Sequence, residues 1–359
     1  TTSIIFSLLE ILALPFLFMV LFNNGPEFLM NKDVIPFIWN KIVIPVTTIV
    51  PVGSIFLSLI ISYGLMEFVG VFMRPVMKPI WKTPGRSAID AVASFVGSYS
   101  LALLITNRVY KEGKYTTKEA VIIATGFSTV SATFMVIVAK TLDLMDSWNL
   151  YFWLTVIVTF LVTAITARIY PIRNKSDAYF ENQEGDIEKD IPKDKFKVAF
   201  NEGMEVCANS GSILENVIIN LKDGVMLAFN IGPSLMAVGT LGIVLANHTP
   251  IFDWIGYLVY PFTLISGFEE PLLTAKALAL GIAEMFLPAV LVTKLSFEVK
   301  MLVAITCVSE VLFFSASIPC MMATDIPISF KDYLIIWFER VVLSILVSIP
   351  LIYLVKVLM

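Results

Sequence analysis

Charge is what this sequence has least of. Asp, Glu, Lys and Arg make up 15% of its 359 residues, while hydrophobic residues make up 57%. A soluble domain carries roughly 25% charge, so the composition excludes one and points to a polytopic membrane protein. Histidine is confined to His248 and cysteine to Cys207, Cys307 and Cys320. None of the four stands at a metal-ligand spacing, so all read as structural, and neither a metal nor a cofactor is expected. HExxH, GxSxG and the phosphate loop G-x-x-x-x-G-K-[ST] are all missing, and no Cys–His pair is suitably placed; an enzyme is not expected. The net charge of −4 argues against nucleic acid as a partner. Residues 4–22 are too long for a cleavable signal, contain Glu10 and lack a small-residue cleavage site.

What is present is a series of apolar stretches, with room for about eight full spans at roughly 20 residues each. Spans are expected at 4–22, 42–68, 120–139, 150–170, 217–246, 299–322 and 333–358, while 251–267 is short for one. Residues 74–86 read as a basic, proline-rich connection with Trp81 as an interface anchor. Residues 174–197 are almost all charged or polar and read as a solvated loop dividing the chain into halves, 1–173 and 198–359, with 198–215 weakly amphipathic. Two stretches break the pattern. In 87–106 an apolar run is interrupted at Gly97-Ser98-Tyr99-Ser100, and after a charged turn the chain re-enters the apolar phase through 126–133. In 271–293 the interruption is Gly281-Ile282-Ala283-Glu284, and Ser309-Glu310 lies in the following span. Small and polar residues at mid-bilayer break a helix, and unpaired main chain at that depth persists only inside protein or beside a wet cavity.

Charge distribution gives the orientation. Lys and Arg number four in 74–86, four in 107–118 and seven in 168–197, against one in 140–149 and none in 246–253. The positive-inside rule places the first three segments, and the N-terminus with them, in the cytoplasm. Basic clusters on one side flank 87–106, so that segment must enter from the cytoplasm, turn near 97–100 and return. The second half repeats the order. Sliding Gly97 onto Gly281 also pairs Ala91 with Ala275, Ala93 with Ala277 and Leu103 with Leu287. Removing three residues from the turn lays Thr125-x-x-Ser128-x-Val130 on Thr306-x-x-Ser309-x-Val311. Since 217–246 crosses outward, the second repeat starts on the opposite side. The expected fold is an all-α polytopic membrane protein of two inverted repeats, about 42–170 and 217–358, each with a broken re-entrant helical hairpin. That is an architecture of secondary transporters, with the substrate at the repeat interface.

The run PGRSAIDAVASFVG at 84–97, continued by LALLITNRVYKEG at 101–113, resembles the YjiH-like membrane proteins, as do TGFSTVSATF at 125–134, GFEEP at 267–271 and AEMFLP at 283–288. The resemblance covers nearly the whole chain. That family belongs to the group carrying the Gate, or nucleoside-recognition, domain. It is similar to spore maturation membrane proteins, to the membrane part of ferrous-iron transport protein B and, more distantly, to concentrative nucleoside transporters. What the resemblance implies is a solute transporter with paired re-entrant elements, assembled as a homodimer or homotrimer or with a second Gate-type membrane subunit. Its relatives are linked to nucleosides, to dipicolinate and, by domain only, to iron, so no substrate carries over.

Candidate binding residues follow from the breaks. Gly97, Ser98, Tyr99 and Ser100 offer hydroxyls and freed main chain at the first tip; the competing role is close helix packing. Ser128, Thr129, Ser131 and Thr133 form a hydroxyl run, with back-bonding to the helix as the alternative. Glu284, Ser309 and Glu310 occupy the equivalent places in the second repeat. An ionisable group in the membrane costs at least ~2.5 kcal/mol and is by default a functional hypothesis, so Glu284 and Glu310 are the foremost candidates for ion coupling. The alternative for Glu284 is pairing with Lys276 or capping a broken helix. Asp90 is a third candidate, with pairing to Arg86 as its structural alternative. Glu10, Lys222, Asp223 and Arg340 read as partners for one another. The expected function is transport of a small polar or anionic organic solute, nucleoside-like or a small carboxylate, across the cytoplasmic membrane by alternating access, coupled to H⁺ or Na⁺. The alternative is a non-transporting assembly or sensor subunit.

Overall fold

A computed structural model describes residues 4–32, 34–61, 63–186 and 194–358, and among them the chain is helical, with one isolated bridge between Thr116 and Tyr179. The principal helices are α1 (Ile4–Phe22), α2 (Ile44–Ile61), which continues from a helical stretch at Ile35–Phe37 and Ile38–Val43, α3 (Leu65–Trp81), α4 (Ala88–Val96), α5 (Tyr99–Lys111), α6 (Thr117–Gly126), α7 (Ala132–Thr141) and α8 (Trp148–Thr166). After the polar loop come α9 (Lys195–Asn209), α10 (Ile213–His248), α11 (Ile251–Ile265), α12 (Pro271–Leu280), α13 (Leu287–Leu291), α14 (Phe297–Ser309), α15 (Ser317–Met322) and α16 (Phe330–Leu358).

The order α4–α5, α6–α7, α8 recurs as α12–α13, α14–α15, α16: a hairpin, a span broken in the middle, and an unbroken span. Side-chain contacts give the relative direction of the two sets. Lys111, beside the start of α6, pairs with Asp325 beyond the end of α15 at 3.2 Å, and the Asp325 amide donates to Asn107 Oδ1 at 2.9 Å. At the far end, Asp143 beyond α7 pairs with Lys300 in the first turn of α14 at 3.7 Å. The two broken spans therefore run antiparallel, each over about 30 Å of helix, the depth of a bilayer core. The outer spans do the same. Lys175, following α8, meets Asp332 at the start of α16 at 2.8 Å, and Lys356 at its end meets Glu298 in α14 at 2.6 Å. Hairpin α4–α5 thus enters from the basic face and α12–α13 from the opposite one: the repeats are inverted.

Helix periodicity separates the lipid face from the protein face. On α8, Trp153, Ile157, Leu161 and Ile165 recur every four residues and are exposed, while Thr155, Thr159, Thr163 and Thr166 are buried. Lipid tails are as apolar as leucine, so packing and hydrogen bonds rather than water exclusion hold such helices together. The core is accordingly built on α6 and α14, where nearly every side chain from Ala120 to Gly126 and from Met301 to Ser309 is buried.

The structure corrects several readings. The stretch 42–68 is no single span: α2 ends at Ile61, Gly64 turns at φ +78°, and α3 carries most of what reads as a basic connection. Trp81 is an internal anchor, donating to the Phe160 carbonyl at 2.8 Å and packing edge-on against Phe127. The stretch 120–139 is two helices. The polar loop folds back, with Asp186 on Arg86 at 2.9 Å.

The inverted arrangement has a direct check. In a background with Cys207, Cys307 and Cys320 replaced, Lys111→Cys and Asp325→Cys should react with an impermeant maleimide from one side of the membrane, and Asp143→Cys from the other. Labelling of positions 111 and 143 from the same side would contradict the antiparallel spans.

Candidate functional site

A helix that stops inside a membrane leaves up to four amide hydrogens or four carbonyls without partners. Here that happens at the two hairpin tips and at two breaks, residues 127–131 between α6 and α7 and residues 310–316 between α14 and α15. The first tip forms where the sequence places it. Gly97 ends α4, and Ser98, in extended conformation, caps α5 by accepting from the Leu101 amide at 3.3 Å. Its hydroxyl also lies 2.9 Å from that of Ser100. Ser131 caps α7 in the same way, accepting from Phe134 N at 3.4 Å. At the second tip, Glu284 Oε2 accepts from the amides of Phe286 and Leu287 at 2.7 and 3.1 Å. Of the two structural roles for Glu284, the helix cap is present. Pairing with Lys276 is not, because that ammonium reaches Asp253 at 2.8 Å at the protein's edge.

Each break lies against its own repeat's hairpin and meets the other repeat. Ser94 of α4 donates to the Thr129 carbonyl, and its hydroxyl is 3.2 Å from that of Thr129. In the second repeat the contact is main chain to main chain. Phe314 N donates to Ile282 O at 2.6 Å and Ser315 N to Ala283 O at 2.9 Å. Across the repeats, Tyr99 stacks edge-on with Phe313 at 5.8 Å and Phe134 with Phe286 at 6.2 Å. Val311 holds φ +62°, an outlier for a β-branched residue that costs of order 1–3 kcal/mol and marks break 2 as strained.

Glu310 is the centre of break 2. It is fully buried, with Oε2 accepting from Trp337 Nε1 at 3.1 Å, and a Cβ added at Gly281 would collide with both carboxylate oxygens. Only glycine lets the second tip approach that closely. Arg340, one turn beyond Trp337 on α16, donates from Nε to the Ser309 carbonyl at 2.8 Å and from Nη1 to Thr163 Oγ1 at 3.1 Å. Thr163 Oγ1 in turn lies 3.0 Å from the Gly126 carbonyl at the end of α6. Ser309 Oγ donates to Ser344 Oγ at 2.6 Å. Among the described residues, four buried polar atoms at the breaks have no partner: Ser128 Oγ, Glu310 Oε1, Ser315 Oγ and Arg340 Nη2. Buried polar atoms in native proteins are nearly always satisfied, so such a cluster calls for a ligand, an ion or water.

The breaks thus gather Ser128, Thr129, Ser131, Ser309 and Glu310, with Ser98, Tyr99, Ser100 and Glu284 at the tips. Thr133 lies on the first turn of α7, and its side chain is outside the described residues. Asp90 stands apart: its two oxygens accept from Thr106 Oγ1 at 2.6 Å and Tyr115 OH at 2.7 Å, clasping α4 to α5, and Arg86 goes to Asp186 instead. Of the group Glu10, Lys222, Asp223 and Arg340, the structure places only Arg340 and Lys222. Arg340 belongs to break 2, Lys222 is exposed, and the side chains of Glu10 and Asp223 lie outside the described residues. Arg340, Trp337, Ser94 and Thr163 are site residues that sequence reasoning missed. A lone arginine well inside the last apolar stretch was the available signal.

Paired re-entrant hairpins facing two broken spans define an all-α multi-pass membrane protein with a central polar site. Residues 43–145 match the Gate family, described as nucleoside recognition. An uncharacterised protein of Alkalihalophilus pseudofirmus is 32% identical over 333 residues, 92% of this chain and 72% of that protein. The chain belongs to this Gate family of membrane proteins. Two solved structures of the transporter CNTnw are also similar. One is inward-facing and substrate-bound, at 12% identity; the other is a doubly substituted form facing outward, at 13%. Both have a TM-score of 0.46 and cover 96% of this chain and 85% of theirs, too distant a likeness to transfer an activity.

The fit between Gly281 and Glu310 can be measured by a double-mutant cycle. Gly281→Ala should destabilise by about 1–3 kcal/mol through overpacking, read as a fall in the thermal midpoint in detergent. Added to Glu310→Ala, which makes room, it should cost much less. Simple additivity would mean the two groups do not touch.

Proposed function

We propose that this chain is a secondary transporter that moves a small polar or anionic organic solute across the cytoplasmic membrane by alternating access. The single observation that carries this reading is the set of unpartnered buried polar atoms where two inverted breaks face two hairpin tips. Hairpins entering from opposite faces fit the inverted plan on which alternating access is built. Gate domains are described as nucleoside-recognition domains, which favours a nucleoside-like solute. Hydroxyl donors at Ser98, Ser128 and Thr129 and a carboxylate at Glu284 suit a sugar hydroxyl or a small polar head. Coupling to H⁺ or Na⁺ would run through Glu284 or Glu310. Asp90, with both oxygens satisfied inside hairpin α4–α5, is better read as structural. The assembly or sensor alternative calls for a dry, side-chain-filled interface between the two broken segments with Glu284 packed on a fixed cation, and Lys276, the candidate for that cation, is engaged elsewhere. The N-terminus is proposed to be cytoplasmic. Phe28, after α1, stacks on His248 at the end of α10, and the other end of α10 meets Arg108 at the basic face. A homodimer or trimer, or a complex with a second Gate-type subunit, is the proposed assembly.

Proteoliposomes provide the test. Labelled uridine, pyridine dicarboxylate and amino acids are offered with an imposed pH or sodium gradient. At least one should accumulate in a gradient-dependent manner, and Glu284→Ala should lower its initial rate ~10-fold or more, as expected for a lost charged hydrogen bond. If no gradient changes the uptake of any of them, the coupled-transport reading is wrong.

A further inference from the structure

The pairing at break 2 bears on which ion the carrier uses, an inference that rests on the transport reading above. Glu310 Oε1 and Arg340 Nη2 are an unpartnered acceptor and an unpartnered donor, both fully buried. They are neighbours, since Arg340 binds the carbonyl of Ser309, the residue before Glu310, and Trp337, one turn earlier on α16, binds the carboxylate itself. The two charges interact electrostatically across this gap. Arg340 cannot readily withdraw, because its Nε and Nη1 are held by two different helices, α14 through Ser309 and α8 through Thr163. The other titratable groups facing Glu310 are Glu284 from the second tip and Cys307 from its own helix, and α8 brings the Thr163 hydroxyl to Arg340.

We infer that Glu310 exchanges a proton and not a metal cation, with Arg340 as its fixed counter-ion. A sodium ion on Oε1 would sit in the field of the Arg340 guanidinium, which two hydrogen bonds hold in place, in a medium of low dielectric where like charges repel most strongly. A proton avoids this conflict, because it is accepted by the carboxylate oxygen and removes the negative charge without adding a separate cation. The step is a plain acid–base exchange: water or hydronium reaching the break gives a proton to Oε1, and the same O–H bond breaks when the site faces the other side. Arg340 is a positioning residue in this scheme. It holds the Ser309 carbonyl at the break and sets how readily the neighbouring carboxylate gives up its proton.

The test needs no substrate, so it can fail while transport stands, or hold while transport fails. Purified protein in potassium buffer is titrated from pH 5 to 9 by infrared difference spectroscopy, following the carboxylic acid C=O band that disappears in Glu310→Gln. The band should titrate in the wild type, unchanged by replacing 100 mM potassium with sodium. In Arg340→Met the acid form should persist to higher pH by at least ~1 unit, the usual effect of losing a nearby opposite charge, and Arg340→Lys should restore most of the shift. Sodium displacing the band, or an identical titration in Arg340→Met, would overturn the inference. If Arg340→Met does not fold, Arg340→Lys and Trp337→Phe keep it open to refutation. The first should titrate close to the wild type, and the second should shift the band upward by loss of a hydrogen bond. No movement in Trp337→Phe would count against the assignment to Glu310.

Discussion

A main chain that leaves the helix in the middle of a bilayer must find partners for its amides and carbonyls within the protein, because lipid offers none. Nearly every unusual residue in this fold answers that requirement. Ser98 and Ser131 cap the helices that restart after a tip and a break, and Ser317 accepts from the Phe313 amide within break 2. The tip at 282–283 and the segment at 314–315 satisfy each other directly, like a fragment of sheet without strands. Carbonyls left at the ends of α6 and α14 are met by Thr163 and Arg340 from the two unbroken spans. The two breaks are thereby joined through one chain of contacts, Ser309 to Arg340 to Thr163 to Gly126, which crosses from one repeat to the other.

Much of this was legible in the sequence, for reasons that differ from element to element. The tips at 97–100 and 281–284 were readable because glycine and hydroxyl residues interrupting an apolar run have few uses other than ending a helix. The inversion was readable because lysine and arginine are distributed by side, and the ion pairs 111–325 and 143–300 place the ends accordingly. The boundary between α2 and α3 was not readable. Residues 42–68 are apolar throughout, and what separates the helices is the left-handed turn at Gly64, a backbone property that hydropathy does not record. Trp81 looked like an interface anchor because aromatic residues gather there, but its half-buried indole is tied to α8 by a specific hydrogen bond. The partners of Asp90 and Arg340 lie 16 and 25 residues away in one case and 31 and 177 in the other. Local spacing suggested Arg86 for Asp90, whereas tertiary contact chose Thr106 and Tyr115. In the sequence Arg340 reads as a partner for Glu10, Lys222 and Asp223, since nothing in its neighbourhood names Ser309 or Thr163.

The repeats share a backbone plan but not a charge plan. Break 1 is lined by neutral hydroxyls, those of Ser94, Ser128, Thr129 and Thr163. Break 2 carries Glu310 and is flanked by Glu284 of the second tip and Arg340 of α16, all buried. Internal duplication would give both breaks the same chemistry if only the main chain mattered, so the difference calls for a cause beyond folding. Burying an ion without compensation costs several kcal/mol, and two carboxylates with one guanidinium sum to a net charge of minus one when all are ionised. A single proton on either carboxyl brings that sum to zero. Break 2 is therefore neutral in one protonation state and charged in the next, while break 1 is neutral in both. A fold in which one half can change charge while the other presents hydroxyls gives its two inverted halves different chemistry at the surfaces that meet at the hairpin tips.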